Sequence, residues 1–275
     1  MTTAFVLGGG GRWGAVEVGM LRALDEAGVT PDLILGTSIG AINGSVVADR
    51  PGAEGVESLT RLWAEIASTG ILQGRRIDRL RNMAALRPAL HETSELRALL
   101  QRVHSAGRLI EDLVLPFQCV AASIERAAEH WFTEGPLIEA LLASSALPAL
   151  FPPVEIAGEH FYDGGLVNSV PLARAVDLGA REIFVLQVGR IESQLRPPKR
   201  LHEAALISFE IARRHRFTTA VETLPPGIEL HLLPSGNRVA FDDSRQLRWR
   251  DVGSTQELID GAHAASAEYL AGIRK

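Results

Sequence analysis

The chain has 275 residues, 46% of them hydrophobic and 22% charged, with a net charge of −5. That length fits one large domain, and the balance excludes disordered and fibrous classes. A negative charge with no basic stripe interleaved with aromatics argues against a nucleic-acid partner. The single cysteine, Cys119, lies in the apolar run Phe117-Gln118-Cys119-Val120-Ala121, so no intrachain disulfide can form and a buried thiol is expected. The N-terminus has no basic segment ahead of a long apolar run, and no window reaches the ~18 apolar residues of a membrane span. A soluble, cytoplasmic protein is the expectation.

In chain order, Ala4 to Leu7 reads as a short buried strand, followed by Gly8-Gly9-Gly10-Gly11. Helical periodicity runs from Gly14 to about Ala27, with Val16, Met20, Leu21 and Leu24 on one face and Gly28 as the stop. Asp32 to Leu35 is a second strand, and a helix begins after the turn at Ser38. This β-α-β-α opening predicts a parallel sheet covered on both faces, hence a three-layer α/β/α domain occupying residues 1–275. From Glu54 to Leu113 the pattern is helical. Phe117 to Ile124 and His130 to Thr133 then read as strands, and Pro136 to Ala143 as a helix. Val154-Ile156 and His160-Tyr162 fit a hairpin across Ala157-Gly158-Glu159. A helix from Pro171 to Asp177, capped by Asn168 or Ser169, precedes a strand at Glu182 to Leu186. A long helix from Leu201 to Thr223 and a strand from Ile228 to Leu233 follow, and Ser254-Thr255-Gln256-Glu257 spells a capping box for the last helix. Arg213-Arg214-His215-Arg216 is a basic cluster that fits either a solvated helix face or contact with anionic lipid.

Three stretches carry chemistry. Gly36-Thr37-Ser38-Ile39-Gly40 is a G-x-S-x-G pentapeptide between a strand and a helix, a turn that exposes the serine oxygen at a strand tip. The glycine run through Gly14 also spells G-x-G-x-x-G, but the dinucleotide reading requires an acidic residue at the end of the second strand, and Gly36-Thr37-Ser38 stands there instead. A glycine loop at a helix N-terminus also presents N–H groups to an oxyanion, which suits a neighbouring nucleophile. The third stretch, His160-Phe161-Tyr162-Asp163-Gly164-Gly165, places a carboxylate in a glycine turn, where it is either a base or an ordinary turn residue. A Ser…Asp…His triad using Ser38, Asp163 and one of His202, His215, His231 or His263 is the alternative arrangement. No metal-ligand spacing occurs, and no metal or cofactor is expected.

Taken together these segments resemble the patatin-like phospholipase family. Gly8 to Gly14 is similar to its oxyanion loop, Gly36 to Gly40 to its nucleophile elbow, Ser144 to Pro153 to its Ala/Pro-rich block, and Asp163-Gly164-Gly165-Leu166-Val167-Asn168 with Pro171 to its D-G-G segment. The four segments fall in family order within about residues 4–190. The resemblance implies a Ser-Asp dyad of Ser38 and Asp163 without histidine, and an oxyanion hole from Gly9, Gly10, Gly11 and Arg12. It gives Gly36 and Gly40 the elbow, and Gly164 and Gly165 the support of the aspartate. It also implies a lipid or other acyl-ester substrate and transient contact with a membrane surface. One departure stands out: Trp13 occupies the position where the family usually has a basic residue. That departure motivates a further reading, a patatin-like binding protein with impaired catalysis.

Overall fold

The computed structural model describes residues 2–69, 92–188, 194–198, 201–236 and 251–273. Eight strands form one sheet: β1 (Thr3–Leu7), β2 (Leu33–Thr37), β3 (Phe117–Ser123), β4 (Ala128–Phe132), β5 (Val154–Ile156), β6 (Glu159–Asp163), β7 (Glu182–Leu186) and β8 (Glu229–Leu233). Their order is β5-β6-β3-β2-β1-β7-β8, with β4 attached to β3. The run from β3 to β8 is parallel, and β4, β5 and β6 are antiparallel additions.

The helices are α1 (Ala15–Glu26), α2 (Ile39–Asp49), α3 (Ala53–Thr69), α4 (Ser94–Val103), α5 (Leu137–Ser144), α6 (Leu172–Asp177), α7 (Leu201–Glu222) and α8 (Val252–Ile273). Residues 70–91, within the stretch expected to be helical, lie outside the described residues. Strand alternation sorts the core into two layers. Phe5, Leu7, Ile34 and Phe184 face α1, α2, α3 and α8, whereas Ala4, Val6, Leu33, Leu35, Ile183 and Val185 face α6 and α7. The expected three-layer architecture is borne out. Among the described residues no helix is long and apolar enough to cross a membrane.

One topological detail positions the site. On β3, β4 pairs with Cys119 to Ser123, so it takes one whole edge of that segment. The other edge is shared: β2 pairs up to Thr37 opposite Val120, and β6 takes over with Asp163 opposite Ala121. The upward-running β2 and the downward-running β6 therefore meet end to end, with Thr37 and Asp163 separated by one step along β3.

Two expected caps differ from what forms. Ser254 lies inside the first turn of α8, and Asp251 is the residue that caps it, with Oδ1 accepting from Ser254 N–H at 3.0 Å. Neither Asn168 nor Ser169 caps α6 through its side chain. The Asn168 side chain instead donates to Glu129 Oε2 at 3.0 Å, and the carbonyls of Asn168 and Ser169 accept from the Thr37 hydroxyl and from Gly9 N–H.

Candidate active site

Ser38 sits between β2 and α2 with φ 55° and ψ −123°, a left-handed backbone that an L-residue adopts only under constraint. The constraint is close packing. A Cβ on Gly36 would lie 2.4 Å from Ala41 Cα, and one on Gly40 would lie 2.5 Å from the Leu7 carbonyl oxygen. Only glycines allow the turn to be this tight. The Ser38 N–H donates to Ser144 Oγ at 2.9 Å, and the Ser144 hydroxyl donates to Val120 O at 2.7 Å. Ser144 thus ties the elbow to β3 at the point where β2 and β6 meet.

The Ser38 hydroxyl donates to Asp163 Oδ2 at 2.6 Å, and Gly165 N–H donates to Asp163 Oδ1 at 2.7 Å. Asp163 is 4% exposed, and burial raises its pKa to about 6, against the opposing pull of these two hydrogen bonds. Glycine is required after it, because a Cβ on Gly164 would lie 2.2 Å from Val120 O.

The glycine loop approaches from β1. Gly9 was expected among the oxyanion donors, but its N–H is engaged by Ser169 O at 2.9 Å. It lies against the nucleophile turn: a Cβ there would be 3.3 Å from Ser169 Oγ and in ordinary contact with Ser38 Cβ at 3.5 Å. Gly10 and Gly11 differ. Neither N–H finds an acceptor among the described residues, both residues are accessible, and Gly11 has φ 57°. The guanidinium of Arg12 turns away from Ser38 into α8, donating to Ser254 Oγ at 2.5 Å with Asp251 Oδ2 at 3.8 Å. Trp13 is 4% exposed within the larger core cluster, so the unusual indole packs inward.

Of the histidines considered for a triad, His231 and His263 are engaged elsewhere. His231 is on β8, three strand spacings from β2, which is about 14 Å at ~4.8 Å each. It stacks on Phe184 at 4.6 Å and hydrogen bonds Tyr269 at 3.2 Å. His263 bonds Glu26 at 2.6 Å, His215 is exposed on α7, and the side chain of His202 lies outside the described set. A Ser-His-Asp arrangement does exist in the fold, at the far end of α2. His104 Nε2 is 3.0 Å from Ser45 Oγ, and its Nδ1 is 3.5 Å from Asp49 Oδ2. Ser45 and His104 are buried, and the Ser45 hydroxyl donates to Ile42 O, so this trio pins α2 to the end of α4. Burial holds His104 down at a pKa of about 4.

The basic cluster on α7 is largely compensated. Arg213 and Arg214 both bond Glu210, and Arg216 lies 3.5 Å from Glu129. Sequence reasoning missed the roles of Ser144, Glu17 and Asn43. The first enters only as part of the Ser144 to Pro153 block, and neither of the others falls in a motif.

Comparison with known proteins gives the lineage. Residues 5–176 match the family model described as Patatin-like phospholipase. The chain is 34% identical over 189 residues to Patatin-like phospholipase domain-containing protein ZK370.4 of Caenorhabditis elegans, covering 68% of this chain and 14% of that protein. It is 33% identical over 190 residues to human Patatin-like phospholipase domain-containing protein 6, covering 68% and 13%. With Lysophospholipase NTE1 of Mycosarcoma maydis the identity is 30% over 192 residues, covering 70% and 10%. The chain therefore corresponds to 14% or less of the length of these curated relatives. Among solved structures, VipD from Legionella pneumophila shares the fold with a TM-score of 0.51 at 14% identity, over 98% of this chain and 67% of that one. A model match running from β1 into α6, joined by relatives at 30% identity or more, decides the lineage: this chain belongs to the patatin-like phospholipase family.

Proposed function

We propose that the chain is a serine acyl-ester hydrolase acting on lipid or related acyl esters, with Ser38 as nucleophile and Asp163 as its base. The observation that carries this reading is the 2.6 Å hydrogen bond from the hydroxyl of a strained elbow serine to a buried carboxylate. A carboxylate with an ordinary pKa is a weak base for a hydroxyl, and burial improves the match while leaving Asp163 mostly ionised at neutral pH.

In the proposed sequence, Asp163 takes the Ser38 proton as Oγ attacks the ester carbonyl. The oxyanion is met by the N–H groups of Gly10 and Gly11 at the entry to α1, each worth roughly 3 kcal/mol when well placed. As the C–O bond breaks, protonated Asp163 gives its proton to the leaving alkoxide. It then deprotonates a water, which attacks the acyl-enzyme; as the acyl–Oγ bond breaks, Asp163 returns that proton to Ser38 Oγ and the fatty acid is released. The chain's relatives include a protein named lysophospholipase, which favours lipid acyl esters as substrates.

Incubation of the purified protein with a fluorophosphonate probe and with p-nitrophenyl butyrate tests the reading. Labelling and turnover are expected in the wild type, and both should vanish in Ser38→Ala. Undiminished turnover in Ser38→Ala would overturn the assignment.

A further inference from the structure

Directly beneath the glycine loop lies a carboxyl group that the proposed reaction does not use. Glu17, in the first turn of α1, is fully buried. Its Oε2 accepts a hydrogen bond from Asn43 Nδ2 at 2.8 Å, and its Oε1 is buried with no hydrogen-bond partner among the described residues. Asn43 is on α2, also fully buried, and the same Nδ2 donates to the Gly14 carbonyl at 3.0 Å. The remaining bond fixes the orientation of this amide. Trp63 Nε1 of α3 donates to Asn43 Oδ1 at 3.1 Å, and an indole N–H can only donate, so the oxygen must face Trp63. Asn43 therefore joins three pieces: the end of the glycine loop, α1 and α3.

The join matters because the loop and the nucleophile helix fit without slack. Gly14 ends the turn that starts at Gly11, and a Cβ on it would lie 2.6 Å from the side chain of Ile39, the residue after Ser38. Any drift of Gly14 relative to α2 would carry Gly10 and Gly11 away from the Ser38 oxygen. We propose that Glu17 and Asn43 are positioning residues that hold the glycine loop in register with the nucleophile helix, Glu17 acting as an acceptor for the Asn43 amide. This rests on the reading of Ser38 as nucleophile and of the loop as its oxyanion site.

Complete burial pushes the Glu17 carboxyl well above the usual carboxylate range. An ionised carboxylate in the first turn of α1 would place negative charge beside the oxyanion that the helix N-terminus is there to stabilise. Burial works against that charged form.

The test compares Glu17→Gln, a neutral isostere, with Glu17→Leu, which deletes the acceptor. Asn43→Ala is made in parallel so that the reading does not depend on one variant folding. Two measurements are taken on each folded variant: kcat and KM for p-nitrophenyl butyrate, and amide hydrogen exchange of peptides covering residues 8–16. Glu17→Leu and Asn43→Ala should speed loop exchange and lower kcat, each about tenfold, with KM within about twofold of wild type, as expected for misplaced rather than missing groups. Glu17→Gln should stay within about threefold of wild type on both measures. Unchanged loop exchange in a folded Glu17→Leu overturns the inference, as does a Glu17→Gln variant as impaired as Glu17→Leu. Faster loop exchange with unaltered turnover supports the positioning role while overturning the catalytic role assigned to the loop.

Discussion

Asp163 carries two consequences in one side chain, because the burial that would tune it as the proposed base also works against folding. Its pKa moves from 3.8 to about 6 on folding, so the native state favours the protonated form. The resulting penalty is absent below pH ~4, grows between the two pKa values and is complete above pH ~6, where it is on the order of 2–3 kcal/mol. Catalysis follows the opposite direction, since the base must be ionised, and kcat/KM should rise with pH along a limb centred near 6. Asp163→Asn separates the two. It should abolish turnover yet melt above the wild type at pH 7, because the amide can still accept from Gly165 N–H and carries no charge to desolvate. A differential scanning experiment paired with the ester assay checks both, and a variant less stable than wild type would overturn the desolvation argument. At this scale the pairing of Ser38 with Asp163 was legible in the sequence, since each lies in a compact glycine-flanked motif. Ser144 was not legible in its role. Its bond to Ser38 N–H spans 106 positions, and a serine in an apolar helix does not announce which backbone group it will reach.

The junction of β2 and β6 on one edge of β3 is the element-level reason that Ser38 and Asp163 meet across a separation of 125 residues. Because side chains alternate along a strand, a one-residue slip of β6 would turn Asp163 to the opposite face, so register is as essential as identity. Sequence pattern found the strands themselves, since each is a short apolar run between turn residues. Which edge of β3 receives β6, and after which residue β2 yields it, depends on long-range packing that periodicity does not encode. The caps show the same limit. Ser254-Thr255-Gln256-Glu257 fits a capping box, yet α8 starts earlier at Val252 and leaves the Ser254 hydroxyl to accept from Arg12. The junction also bears on the triad alternative. Asp163 is satisfied by Ser38 and Gly165, and His231 is held on β8 by Phe184 and Tyr269. His231→Ala should therefore keep at least about half the wild-type kcat/KM, with any loss appearing in thermal stability through the lost stacking. A fall of a hundredfold or more in a folded His231→Ala protein would reinstate a histidine mechanism.

Across the whole molecule, the part beyond the family match is integral to the site. The matched residues end at 176, yet α8 lies along α1 and supplies Leu258, Ile259, Ala262 and Leu270 to the larger core. The two helices are in close contact at Gly19, where a Cβ would come 2.1 Å from the Ile259 carbonyl oxygen and 2.7 Å from His263 N. These are backbone atoms, so relief requires α8 to move bodily. Such a movement would draw Ser254 and Asp251 away from Arg12, which follows directly on the loop glycines. Gly19→Ala should then destabilise the protein by about 1–3 kcal/mol, as overpacking does, despite alanine's better helix propensity. Gly253→Ala in the same pair of helices is the control. Gly253 is exposed in the first turn of α8 with nothing within 4 Å of its Cβ position, so propensity should prevail and stability should rise by up to about 1 kcal/mol. Urea unfolding of both variants, with the ester assay run on each, decides the point. If α8 were a mere appendage, Gly19→Ala would behave like the control and turnover would not change. If α8 braces the loop, stability and turnover fall together in Gly19→Ala and neither falls in Gly253→Ala.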